Sequence, residues 1–125
     1  MSFKEAISSV FSNYANFNGR ARRSEYWYFA VFSSLVSAIF TALGNLTDGS
    51  MIITALQGLF SLAILIPSLA VAWRRLHDIG KSGAWYFIAL VPVVGWILLL
   101  VWFLKDSEPG ENQYGPNPKE TVDVY

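Results

Sequence analysis

With 125 residues and a formal net charge of zero, the chain is one domain by length, with no global attraction to nucleic acid. It is 54% apolar and only 14% charged, against roughly 25% charged residues in soluble domains, which excludes an ordinary water-exposed surface. The lack of cysteine excludes disulfides, thiol catalysis and Cys-based metal sites.

Lys4, Glu5, Arg20, Arg22, Arg23 and Glu25 interrupt the N-terminal region, so no cleavable signal peptide is expected there. Phe3, Ile7, Val10, Phe11, Tyr14 and Phe17 recur at spacings of three and four. That spacing predicts an amphipathic helix over residues 1–18, closed by Asn18-Gly19. Its apolar face suits either the membrane interface or the side of a helix bundle.

Three arginines, Arg20, Arg22 and Arg23, then precede the aromatic cluster Tyr26-Trp27-Tyr28. Tyr and Trp favour the headgroup level, and arginine at that depth reaches lipid phosphates. From Tyr26 to Thr47 there are 22 residues without a charge. A spanning helix needs about 20. The first span is placed at 26–46. Within it Ser33, Ser34 and Ser37 form a small-residue stripe suited to close helix packing. Residues 49–73 are again uncharged, and the second span is placed at 51–73. Pro67 should free a backbone carbonyl there.

The polar stretch 74–83 follows: Arg74-Arg75-Leu76-His77-Asp78-Ile79-Gly80-Lys81-Ser82-Gly83. It gathers three basic residues, an aspartate and the only histidine of the chain. It reads as a loop, with Gly80 ending the helix that continues the second span. A third apolar segment covers 84–104, with Trp85 and Tyr86 at one end and Trp102 and Phe103 at the other. Pro92 and Gly95 interrupt it. A single kinked span is the simpler reading. A re-entrant hairpin is the rarer alternative, because each arm would have only about ten residues, too few to cross. The tail 105–125 is rich in Pro and Gly, with five acidic residues against two lysines.

The expected architecture is therefore an all-α integral membrane protein. An N-terminal amphipathic helix and turn (1–19) precede a three-span domain (20–104), the third span kinked or re-entrant, and an acidic tail. Lys and Arg flank the first span on its N-terminal side and occupy 74–83, while the turn between spans one and two has none. The positive-inside rule then places the N-terminus and 74–83 in the cytoplasm. Three full spans would put the tail outside, against which Lys105 is an objection. A re-entrant third segment would put it beside the basic stretches, whose charge it complements.

Three stretches carry a family resemblance. They are Phe17-Asn18-Gly19-Arg20-Ala21-Arg22-Arg23-Ser24-Glu25-Tyr26-Trp27, the stretch 74–83, and Asn112-Gln113-Tyr114-Gly115-Pro116-Asn117-Pro118. Together they resemble the domain of unknown function 805 family of small bacterial inner-membrane proteins. The resemblance implies a polytopic protein of the bacterial inner membrane and no particular chemistry. Gln113 stands where the resemblance leads one to expect a basic residue.

His77-Asp78 invites an acid–base reading. Adjacent helical residues diverge by about 100 degrees, however, so the two cannot readily bond each other. Asp78 is expected to pair with Arg74, Arg75 or Lys81, with Arg74 one helical turn away. Gly80-Lys81-Ser82 ends like a phosphate-binding loop but lacks the earlier glycine, since position 75 is Arg. One histidine and scattered carboxylates make a poor metal set, and no cofactor is expected.

The candidate binding residues are Arg20, Arg22, Arg23, Arg74, Arg75, His77, Asp78 and Lys81. They form an expected cytoplasmic platform for anionic lipid headgroups or a protein partner, in a non-enzymatic protein. The partners expected are membrane lipid and a second copy or another membrane protein. An oligomeric channel or transporter subunit is the alternative, with Gln57 as the only strongly polar residue inside a span.

Overall fold

The computed structural model describes residues 2–118. Lys119, Glu120 and Asp123 of the expected acidic tail lie outside the described residues. The described residues form α1 (Phe3–Ser12), α2 (Arg23–Leu46), α3 (Met51–Asp78), a 3-10 helix (Gly83–Leu90) and α4 (Val94–Leu104).

Helix α1 is shorter than the predicted 1–18. Ser2 caps its start, accepting from the Glu5 amide. Its apolar face packs on α2: Phe3 meets the Tyr28 ring, and Phe11 meets Phe29 and Phe32 edge-on. Val10 is buried there with Ala21, Phe29 and Val71. The chain between Asn13 and Arg22 is irregular and folds against α3, with Phe17 edge-on to Trp73.

Helices α2 and α3 are both long and apolar enough to cross a membrane. They are joined by a turn in which Asp48 and Gly49 take positive φ. Helix α3 runs unbroken through Pro67. The carbonyl that a Pro67 N–H would have bonded is that of Ala63, and the Tyr14 hydroxyl donates to it instead. The orphan acceptor predicted from the sequence thus has its partner in the segment that follows α1.

The polar stretch 74–83 is not a loop throughout. Residues Arg74–Asp78 form the last turns of α3. The helix ends as predicted at Gly80, whose φ is 79°. The Gly80 amide bonds the His77 carbonyl and the Lys81 amide bonds the Leu76 carbonyl, the paired bonds of a Schellman cap.

The largest departure from the simpler prediction is the segment 84–104. It is not one kinked helix but two short helices folded against each other. Trp85 and Trp102 would lie about 25 Å apart on a straight helix. Their ring centroids are 6.0 Å apart. Tyr86 likewise stacks near Phe103. The reversal falls at Val91-Pro92-Val93, with Val93 at φ 67°. Gly95 permits the fold-back, since a Cβ there would overlap the Ile88 carbonyl oxygen. Trp96 closes the hairpin by donating to the Ala89 carbonyl. An eight-residue 3-10 helix rises about 16 Å and an eleven-residue α-helix about the same. The two arms therefore match, and neither reaches across a hydrocarbon layer of about 30 Å.

Candidate functional site

The fold-back returns the chain to the end of α3, and the residues after α4 wrap around Asp78. This carboxylate is fully buried. Its Oδ1 accepts from Arg20 Nε at 3.0 Å. Its Oδ2 accepts from Arg75 Nη1 at 2.9 Å and from the Ser107 hydroxyl at 2.6 Å. Its backbone carbonyl accepts from Arg20 Nη2 and from the Glu108 amide. A buried carboxylate without such partners would be very costly, and two guanidiniums and a hydroxyl supply the compensation.

Arg20 has spent all its donors. Besides its two bonds to Asp78, Nη1 reaches the Gly110 and Gly115 carbonyls at 2.8 and 3.2 Å. Nη2 reaches the Glu108 carbonyl at 2.6 Å. A guanidinium has five N–H groups, and five bonds are made inside the protein. Arg75 is 0% exposed and bonds, besides Asp78, the carbonyls of Phe103 and Lys105 that end α4. Arg74 turns the other way. It pairs with the buried Glu25 at 2.7 Å and donates to the Asn16 carbonyl, while its own carbonyl accepts from the Ala21 amide.

His77 is held on both sides. Its Nδ1 lies 2.9 Å from the Gly19 carbonyl, and its ring stacks on Tyr114 at 3.9 Å with an interplanar angle of 2°. Asn112 secures this turn of the tail by donating to the His77 carbonyl and to Glu108. The tail is closed by an Asn112–Gly115 bridge. Gly80 leaves room for Glu108, whose carboxylate would overlap a Cβ at that position.

The eight predicted residues thus divide. Arg20, Arg74, Arg75, His77 and Asp78 are buried; all but Arg74 are joined to one another or to the tail, and Arg74 is joined to Glu25 and Asn16 instead. Asp78 pairs with Arg75, as one predicted alternative held, but its second partner is Arg20 rather than Arg74 or Lys81. Arg22, Arg23 and Lys81 stay at least partly exposed. Arg23 donates to the Leu104 carbonyl, and Lys81 sits 4.6 Å over the Trp102 ring. The bonds of the His77 ring and of the Asp78 carboxylate go to different partners rather than to each other. Among the described residues no three His, Asp or Glu side chains gather as metal ligands.

Sequence reading overlooked Glu25, Ser107, Asn112 and Tyr114 as members of the site. Glu25, Asn112 and Tyr114 lie inside the stretches that carry the family resemblance, which was the available signal. Ser107 carries no signal in the sequence; its role exists only because α4 ends beside Asp78.

The model of the family described as "Protein of unknown function (DUF805)" matches residues 14–116. The chain belongs to this family. The match runs from Tyr14, which bonds the Ala63 carbonyl, to the residue after Gly115, which bonds Arg20. Every DUF805 residue named above in the polar knot falls inside it. The chain is 43% identical over 111 residues to the inner membrane protein YhaI of Escherichia coli, covering 89% of this chain and 92% of that protein. It is 40% identical over 119 residues to the inner membrane protein YhaH of Escherichia coli, covering 88% and 93%. It is 32% identical over 137 residues to the uncharacterized protein YiiR of the same organism, covering 87% and 88%. No solved structure shows significant similarity to this DUF805 chain. The three sequence stretches that mark the family are distant in the chain, and here they meet in one buried cluster.

Proposed function

We propose that this chain is a non-enzymatic, multi-pass protein of the bacterial inner membrane with two spanning helices and a re-entrant hairpin. In this reading the N-terminus, the polar knot and the tail are all cytoplasmic, and the exposed basic residues around the knot hold anionic lipid headgroups. The carrying observation is the division of the cations. Arg20, Arg74 and Arg75 are bonded internally, while Arg23, Lys81 and Lys105 remain at least partly exposed where α4 ends, and Arg22 is half-buried. Aromatic rings accompany them: Trp102 lies under Lys81, and Trp27 donates to the Phe103 carbonyl. Cations beside interfacial aromatics suit the phosphate level of an anionic leaflet, at about 1 kcal/mol for each residue. With the third segment folded back, Lys105 lies on the same side as the other basic residues. Its conflict with the positive-inside rule then disappears.

The headgroup reading is tested by titrating the purified protein with phosphatidylglycerol or phosphatidylcholine and following thermal unfolding. Phosphatidylglycerol should stabilise more, and the triple variant Arg22→Gln, Arg23→Gln, Lys81→Gln should lose that difference while keeping its fold. Equal stabilisation by both lipids would remove the reading. Placement is tested separately by a C-terminal reporter fusion. Cytoplasmic signal is expected; a periplasmic signal would mean that the third segment crosses.

A further inference from the structure

The first long helix carries a polar group that nothing in the chain satisfies. The Ser33 hydroxyl oxygen is buried and has no hydrogen-bond partner. Among the described residues it is the one such side-chain atom within the uncharged segments 26–46 and 51–73. Thr41 and Thr54, on the same helix pair, turn their hydroxyls back to the carbonyl four residues earlier. Ser33 does not. It lines a notch of about 220 Å³ between α2, α3 and the 3-10 helix. A hydroxyl kept from both water and a partner is costly, and more so among apolar surroundings.

The rest of the lining is of one kind. Ser34 on α2, Ser68 on α3, Tyr26 and Tyr86 bring further hydroxyls, and Phe29 adds an aromatic wall. No charged side chain lines the notch. Tyr26 and Tyr86 both pack on Phe103, with ring centroids 4.4 and 6.4 Å away, which fixes two phenol rings at the upper end. From Tyr26 to Ser34 along α2 is about 12 Å. The notch therefore begins below the level of Arg23 and runs down inside the uncharged span.

These features select a ligand. The absence of charge in the lining calls for a neutral one. The side-chain groups are hydroxyls, which donate, and the backbone acceptors around them are engaged in helical bonds, so the ligand supplies acceptors. Ring walls suit a flat ring. The depth suits a molecule dissolved in the hydrocarbon. The volume is below the roughly 300 Å³ at which drug-sized sites begin, which leaves room for a single ring.

We propose that the notch binds the head ring of a lipid-soluble quinone, a ring carbonyl accepting from the Ser33 hydroxyl. The site rests on the membrane placement of α2 and α3 proposed above and is independent of the headgroup reading.

The purified protein in lipid–detergent micelles is titrated with a decyl-substituted benzoquinone and, in parallel, with decylbenzene, which has the ring and the tail without the carbonyls. Thermal unfolding is followed. The quinone should raise the midpoint saturably, and decylbenzene should not. Ser33→Ala combined with Ser68→Ala should lose the quinone shift. Ser61→Ala, exposed on α3 and outside the notch lining, should keep it. Each shift is read against the same variant without ligand, so the effect of the substitution on stability does not enter. If the double variant fails to fold, Ser34→Ala takes its place. Equal shifts with both compounds would mean that partition or an acyl chain fills the notch, and would overturn the proposal. So would a quinone shift that survives the serine substitutions, or no shift at all. Resistance of the chain to carbonate extraction from membranes checks the placement by itself. A failed shift in a membrane-embedded chain thus rejects the quinone site alone.

Discussion

The two ends of the α2–α3 pair are built on opposite principles. At one end, α1, the hairpin and the tail crowd around the last turns of α3, and Asp78, Arg20 and Arg75 are bonded to several segments at once. At the other, α2 and α3 stand alone. Leu46 is 81% exposed and Met51 86%, and the described side-chain bond joining the two helices there runs from Gln57 to Thr41 at 3.3 Å. Directional bonds admit one arrangement, and each lost partner leaves a charge behind. Apolar side chains facing lipid lose little by changing size, because the lipid fills the difference. The polar end should therefore be intolerant and the far end permissive.

Asp78→Ala should break that contrast most strongly if it is real. It strands the buried guanidiniums of Arg20 and Arg75 and frees Ser107, and removing one member of a buried ionic group costs about 3–5 kcal/mol. The expected outcome is loss of the folded protein in detergent, or a large drop in thermal midpoint together with protease cleavage in the segment 106–116. A variant as stable as the wild type would mean that the tail is held by something other than this carboxylate.

Tyr14→Phe probes the middle of the molecule. It removes the donor that satisfies the Ala63 carbonyl left free by Pro67, at an expected cost of about 1 kcal/mol. Thermal unfolding of the purified variant should register a modest drop. An additional exchange Pro67→Ala restores an N–H at position 67 and should recover part of the loss. If Tyr14→Phe is neutral even in the presence of Pro67, the carbonyl has another partner and α1 is less tightly coupled to α3.

The smallest effect is expected at Leu59, which is 63% exposed on α3. Leu59→Ala should change stability by no more than about 0.5 kcal/mol. A larger loss would show that this face packs against protein rather than lipid.

Much of this was readable from residue order. Apolar runs without charge located both long helices because their length and polarity are local properties. The Pro67 acceptor and the Gly80 cap were legible for the same reason: each depends on backbone chemistry within a turn of the residue itself. The reversal at Val91-Pro92-Val93 was visible only as a choice. Pro92 and Gly95 interrupt a helix whether it kinks or doubles back, and the choice is made by contacts such as Trp85 with Trp102, 17 positions apart. Likewise, the sequence marked Arg20, Arg74, Arg75, His77 and Asp78 as a charged group and suggested a surface. Burial is a property of what comes to lie on top; for Arg20, Arg75, His77 and Asp78 the cover includes the tail, and for Arg74 it is the segment before α2 and Glu25.

The apolar character, the two long helices and the family were all legible in residue order, because composition and motif are carried by the chain directly. Burial came only with the packed fold, in which the three family stretches form one knot and Arg20, Arg74 and Arg75 are bonded inside. A guanidinium binds whichever acceptors reach it first. For Arg20 those are Asp78 and the carbonyls of Glu108, Gly110 and Gly115, which stand 58 to 95 positions away in the chain.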